Sequence, residues 1–507
     1  MRALLALLAF AATLAADAAC AQAGAPAVTS AGPDSVSVSI YRAPYRDAKD
    51  ELELEWLQGY ALVTETRTVT IPQGRAVIRF EGVAGRILPE SAIVTGLPEG
   101  VREKNMDADL LSERSLYARS LNRPVTIRRV LGGKVIEERA ILRSGADGAA
   151  IFETAEGFIA ADCRQPEQIV YDGVPGGLSA KPTLSVETES PRSGRVTLTL
   201  SYLAWGYDWQ ANYVATMRPD GKSADLFAWV TLANGDVTSF ENAQAMVIAG
   251  RPNREDGEEP ELPDAEPLAF RCFAAPVSDL AAQDAGAFPE GMVMAMPAPA
   301  RMRMAADDIV VTGSRVSQED LGDLKLYRVP HATTVAAMSQ KQVAMLDQPS
   351  VPVEVIHRAD LGDEAGDVRL LLRAQNKKEK GLGLPLPAGP VAVFEPRDGQ
   401  RLLIGEGSVA DKAIGEEVDI EIADATQVTA EVEAGDKGGN WQAYVATVSN
   451  ANPHPVRFEG RFPASPWQKV DKVSTRLKRK NGRDLWVVEI PANSTVTLRY
   501  RITDLSN

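Results

Sequence analysis

Leu200-Ser201-Tyr202-Leu203-Ala204-Trp205-Gly206-Tyr207-Asp208-Trp209-Gln210-Ala211-Asn212-Tyr213-Val214-Ala215-Thr216 decides the fold class of this 507-residue chain. The stretch is dense in aromatic and β-branched residues, which suit a pleated, half-buried backbone. Asp220-Gly221 follows as a turn, and a second aromatic run, Leu226-Phe227-Ala228-Trp229-Val230-Thr231-Leu232, leads into Asn234-Gly235. Strand, tight turn, strand, tight turn is the pattern of an antiparallel sheet.

The same pattern extends in both directions. Residues 61–71 alternate and turn at Pro72-Gln73-Gly74 into 76–80. Residues 125–130, 135–142, 150–152 and 157–159 read as a run of short hairpins. Downstream, Asp398-Gly399 and Asn481-Gly482 sit between apolar runs as hairpin turns. Helical spacing is confined to one stretch near 107–120, where Leu110, Leu111, Leu116 and Tyr117 fall about two helical turns apart. The expected fold is all-β, built of several antiparallel sandwich or small-barrel units, with that one short helix.

Composition changes abruptly after residue 250. Residues 251–267 are acidic and Pro-rich, and 274–306 hold Ala, Pro, Gly and Met without a period. Such a segment buries too little apolar surface to offset its chain entropy, so 251–320 is expected to be a disordered linker. The expected order is a signal peptide over 1–23, an N-terminal β domain over 34–120 and a small hairpin or barrel unit over 121–182. An aromatic unit over 183–250 then pairs with 321–435 across the linker, and a C-terminal sandwich unit covers 436–507.

The N-terminus carries Arg2, an apolar run over 3–16, and Ala21-Gln22-Ala23, the small-x-small pattern of a signal peptidase site. The run is shorter than the roughly 20 residues that span a bilayer, so the expectation is an exported, periplasmic chain with no transmembrane segment in its mature form. Lipidation at Cys20 is not expected, because Asp17 stands where an apolar residue belongs. The net charge of −15 repels polyphosphate, which argues against nucleic acid as a partner. After cleavage two cysteines remain, Cys163 and Cys272. An oxidising compartment permits a disulfide between them, worth about 4–5 kcal/mol in the chain-entropy picture; two separate buried thiols are the alternative.

Several motifs occur in order along the chain: Leu200-Ser201-Tyr202 with Gly206-Tyr207-Asp208-Trp209-Gln210-Ala211-Asn212-Tyr213, then Leu384-Pro385-Leu386-Pro387-Ala388-Gly389-Pro390-Val391, Leu403-Ile404-Gly405-Glu406 and the Pro491-Ala492 strand. In these the chain resembles the DUF4139-domain proteins, sometimes labelled mucoidy-inhibitor-like, from about residue 120 to the C-terminus. The resemblance implies a β-rich fold and brings no catalytic residues, since none are established for that family. Larger relatives carry a coiled coil near the N-terminal domain, and no heptad run stands here.

Reaction motifs are not found: the sequence has no GxSxG, no HExxH, no P-loop and no complete GxGxxG. Its many carboxylates could furnish a glycosidase pair, which needs two of them about 5–10 Å apart. Trp205, Tyr207, Trp209, Tyr213 and Trp229 could form a platform for stacking sugars; sandwich cores use the same residues. Met292, Met294, Met296, Met302 and Met304 are soft ligands suited to Cu(I), although Arg301 and Arg303 stand among them, and a plain Ala/Pro/Met linker explains the cluster without metal. No cofactor is expected. The reading that results is an exported, non-catalytic envelope protein that binds or scaffolds a protein partner. The alternative is a glycan-binding or glycan-hydrolysing protein of the cell envelope.

Overall fold

The structure, a computed structural model, describes residues 25–107, 111–131, 134–145, 149–160, 167–175, 178–250, 316–322 and 324–505. The expected signal peptide, Cys20, Cys163, Cys272, the five clustered methionines and 251–315 lie outside the described residues. Among the described residues the fold is all-β with one short α-helix, Glu113–Arg119, inside the 107–120 stretch of helical spacing. Ser112 caps it: its hydroxyl accepts the Ser115 N–H, and Ser115 Oγ accepts the Ser112 N–H. The sheets are antiparallel or mixed, and no closed barrel forms among the described residues. The described residues divide into two compact units, one built from 25–35 and 64–203, the other from 36–63, 204–250 and the described residues from 316 onward. Strands Tyr60–Ile71 and Gly194–Trp205 contribute residues to both.

In the first unit, Gly74–Glu81 lies between Ala27–Ser30 and Thr183–Ser190, with Glu103–Asp107 beyond. Ala76, Ile78, Phe80, Leu184 and Val186 give this sheet an apolar face. Two charged residues of Tyr60–Ile71 are buried in the same unit. Arg67 donates Nε to Glu65 Oε2 at 2.7 Å and Nη1 to the carbonyls of Ser30 and Glu81 at 2.9 Å, and its guanidinium lies 5.7 Å over the Phe80 ring. Tyr202 Oη donates to Glu65 Oε1 at 2.8 Å and accepts the Ala84 N–H. The charges are tolerated because nearly every polar atom finds a partner. A separate five-stranded sheet, ordered Gly157–Ala160, Ile151–Thr154, Lys134–Leu142, Pro124–Leu131, Glu167–Tyr171, packs Val125, Ile127, Leu142 and Phe152 around Tyr117 of the helix.

In the second unit, Tyr207–Met217 pairs antiparallel with Ser223–Asn234 and parallel with Gly389–Arg397, which continues into Gln400–Val409. The 22-residue strand Ser339–Asp360 serves three partners along its length. Its first part pairs with Ser223–Asn234; its second pairs with Arg369–Gln375 and, in parallel, with Val456–Arg461. The sheet curls until Gly405 and Gly407 meet the backbone of Glu417–Asp424, where a Cβ would lie 2.0 and 2.1 Å from the carbonyls of Ile422 and Glu421. A C-terminal sandwich follows. Val428–Lys437, Trp441–Asn450, Ser494–Asp504 and Gln468–Asp471 form one sheet, and Phe458, Phe462, Trp486, Leu498 and Tyr500 fill the core.

The turn chemistry reads through into geometry. Asp398-Gly399 and Asn481-Gly482 all adopt positive φ (51°, 77°, 50° and 79°), the pattern of a type I′ hairpin turn. Asn234-Gly235 differs from expectation. The strand after it, Phe240–Ala249, pairs with Ser35–Tyr41 and Leu324–Arg328 rather than folding back on Ser223–Asn234. The expected linker also ends early, because Ser317–Leu321 is already a strand paired with Leu324–Arg328.

Candidate functional site

The aromatic block does two jobs, and its rings do the less visible one. Trp205, Tyr207, Trp209 and Tyr213 are buried, and Trp229 is half-buried with its ring edge-on to Phe227 at 4.6 Å. Trp209 Nε1 donates to the Ile248 carbonyl at 3.1 Å, and Tyr213 Oη to the Pro387 carbonyl at 2.7 Å. Gly206, at φ 84°, interrupts the strand between Trp205 and Tyr207, which ends the alternation that would align their rings. Buried in this way, the four rings pack the core and offer no open face.

The polar residues between them build the site. Asp208, almost wholly buried, accepts Arg46 Nε at 2.8 Å, the Ala43 N–H at 3.1 Å and its neighbour's N–H, that of Trp209, at 2.7 Å. Arg46 Nη2 also donates to the Trp209 carbonyl at 2.5 Å. Burial pushes the Asp208 carboxyl up; the Arg46 guanidinium and the two backbone N–H groups pull against that. Gln210 donates to the Asp50 carbonyl at 3.0 Å, and Gln340 to the Leu52 carbonyl at 2.6 Å. Residues 42–59 are thereby strapped onto the sheet. Gly59 and Gly235 permit the close fit: a Cβ at the first would lie 2.2 Å from the Tyr207 carbonyl, and at the second 2.2 Å from that of Leu54.

The strap encloses a half-open cleft of about 200 Å³, lined by Ala43, Arg46, Asp50, Glu51, Glu53, Gln58 and Asp208 among others. Tyr45 and Trp56 stand on its wall with 82% and 75% of their surfaces exposed. Two exposed rings on the wall of one cleft offer a partner the residue types that most often carry interface energy. Sequence reading did not single out the strap. The available signals were Asp208 and Gln210, polar residues set inside an aromatic strand, and the dense charge alternation of 42–55.

A second constellation gathers carboxylates. Arg373 Nε donates to Asp419 Oδ1 and Nη1 to Glu459 Oε1, both at 2.7 Å; Arg358 Nη2 donates to Asp419 Oδ2 at 2.8 Å and Glu459 Oε2 at 2.9 Å. Burial opposes the ionisation of Asp419, but hydrogen bonds and charge from Arg373 and Arg358 outweigh it and hold the carboxyl at about 2. The same balance lowers Glu459. Both carboxyls are thus kept ionised by shared guanidiniums, an arrangement that ties four strands together and leaves neither poised to carry a proton at neutral pH. Among the described residues no group of three or more His, Cys, Asp and Glu is placed to hold a metal ion, and no helix is long and apolar enough to cross a membrane.

Compared with protein-family models and with curated proteins, the chain matches none.

Proposed function

We propose that this chain is an exported, non-catalytic envelope protein that acts as a binding or scaffolding module, and that its ligand enters the cleft beneath residues 43–58. The observation that supports this is the contrast between floor and wall. Asp208 is buried and ion-paired with the largely buried Arg46, which fixes the floor in place, while Tyr45 and Trp56 hold out large rings that nothing in their unit covers. A fixed base carrying exposed aromatics binds at low ordering cost, and Trp and Tyr supply a disproportionate share of interface energy. The likeness to DUF4139 proteins, which brings no catalytic residues, is in keeping with a binding role.

Glycan binding is the second reading, favoured by the same two rings, since a planar aromatic face can stack on a sugar.

A photo-crosslinking residue at position 45 or 56, used in the native host and followed by mass spectrometry, separates these readings. One dominant envelope-protein adduct from both positions is the expected result. Glycan adducts would transfer the site to the second reading, and adducts forming only from positions elsewhere on the chain would remove the cleft from consideration. With the partner in hand, Trp56→Ala is expected to weaken binding by about 2 kcal/mol or more.

A further inference from the structure

Residues 467–483 read Trp-Gln-Lys-Val-Asp-Lys-Val-Ser-Thr-Arg-Leu-Lys-Arg-Lys-Asn-Gly-Arg: seven cations against one carboxylate, in a chain of net charge −15. The fold puts them on one flank of the C-terminal sandwich. Gln468–Asp471 is the last strand of one sheet, paired with Ser494–Asp504; Lys478–Lys480 is the last strand of the other, paired with Arg483–Ile490. Six residues join these two edge strands. That connection is pinned where the Ser474 N–H donates to the Arg499 carbonyl at 2.8 Å and Ser474 Oγ accepts the Arg499 N–H at 3.0 Å.

The charges on this flank are largely unspent. The segment's carboxylate, Asp471, is held by Arg501 at 2.6 Å, and Lys480 is held by Glu417. Lys472, Arg476, Lys478 and Arg479 are exposed, and among the described residues none of the four has a carboxylate within ion-pair distance. Trp467, which opens the segment, is 65% exposed. Lysines on a bare sheet edge are a familiar guard against edge-to-edge pairing. A guard needs one or two charges and no solvated indole; four unpaired cations and an exposed tryptophan within the same 17 residues exceed it.

We infer that this flank binds an anionic polysaccharide, its carboxylate or phosphate groups meeting Lys472, Arg476, Lys478 and Arg479 while a sugar ring stacks on Trp467. The cations are concentrated in one short segment of two edge strands and their connection, while the chain as a whole is acidic. A single polymer chain touches only that segment, whereas an anionic bilayer or a nucleic-acid duplex would also bring broad negative surface against the acidic remainder. The inference concerns a different surface from the cleft and stands independently of it.

The test uses the full chain and three probes: polygalacturonate, neutral dextran, and vesicles of phosphatidylglycerol and phosphatidylcholine. Polygalacturonate is expected to bind with an affinity that falls as salt rises, and dextran not to bind. Neutralising the flank (K472Q/R476Q/K478Q/R479Q) should weaken polygalacturonate binding about tenfold or more, and W467A should weaken it several-fold. Neutralising Lys377, Lys378 and Lys380 to Gln should leave it unchanged. All substituted side chains are exposed or half-exposed, and an unchanged circular dichroism spectrum verifies folding. Unaltered polymer binding by the flank variant would overturn the inference, as would binding to the vesicles alone. A variant that aggregates but binds as before would assign the cations to edge protection instead.

Discussion

Asp208 shows how much rests on one side chain. It neutralises Arg46, which is itself almost buried, and accepts the backbone N–H groups of Ala43 and Trp209. Asp208→Ala removes all of these at once and leaves a guanidinium with no counter-charge. Breaking a buried pair from one side typically costs about 3–5 kcal/mol, so denaturant unfolding should register a loss of that order. Asp208→Asn keeps an acceptor for the N–H groups and abandons only the charge, so it should fall between the variant and the parent. If both substitutions were neutral, the strap would have to be held by Gln210, Gln340 and the close backbone contacts instead. A second readout is local: cleavage by trypsin after Arg46 and Lys49 should accelerate in both variants, in the same order.

At the scale of elements, the strap and the strand beneath it form a fitted pair, and Gly235 tests the fit. An alanine Cβ there would meet the Leu54 carbonyl at 2.2 Å, and the obstacle is backbone that cannot rotate away. Gly235→Ala should therefore lift the 42–59 segment at a cost of about 1–3 kcal/mol, visible as a changed environment of Trp56 in fluorescence. This glycine also marks where sequence reading stopped being reliable. Asn-Gly after an aromatic strand reads as a hairpin turn, and at Asn481-Gly482 it is one, because the flanking strands are neighbours in the sheet. At Asn234-Gly235 the same dipeptide serves close approach, and the chain leaves for another strand. Local composition reports the backbone conformation a residue can adopt; it does not report which distant segment arrives beside it. For the same reason the all-β class and the short helix were legible, since alternation, turn residues and helical spacing are local signals. The cleft was not, because Arg46 and Asp208 stand 162 residues apart and meet only through the pairing of strands.

At the scale of the whole chain, the Asp419–Glu459 cluster of the second unit and Glu65 of the first respond oppositely to acid. In the second unit, Asp419 is held at about 2, below the 3.9 or so of an unfolded aspartate, and Glu459 is also lowered. A depressed carboxyl contributes stability that is present above the unfolded value and is lost as pH falls from about 4 toward 2. The shift of Asp419, whose side chain is 28% exposed, corresponds to about 2 kcal/mol after allowance for solvent. In the first unit, burial raises Glu65 against the pull of Arg67 and Tyr202. A raised carboxyl works the other way: its contribution is full below the unfolded value and is lost as pH rises through the folded one. Acid should thus weaken the second unit and spare the first through these groups. The chain supplies its own reporter, because all seven tryptophans (56, 205, 209, 229, 441, 467 and 486) belong to the second unit. Urea unfolding at pH 7 and pH 3 should therefore show the tryptophan transition moving to lower urea at pH 3. The far-ultraviolet circular dichroism transition, which reports both units, should move less and broaden. Coincident transitions that shift together at both pH values would mean that the units unfold as one and that Asp419 and Glu459 do not set the acid limit. In that event Asp419→Asn should also leave the pH 7 to pH 3 difference intact, whereas the ion-pair account requires it to shrink.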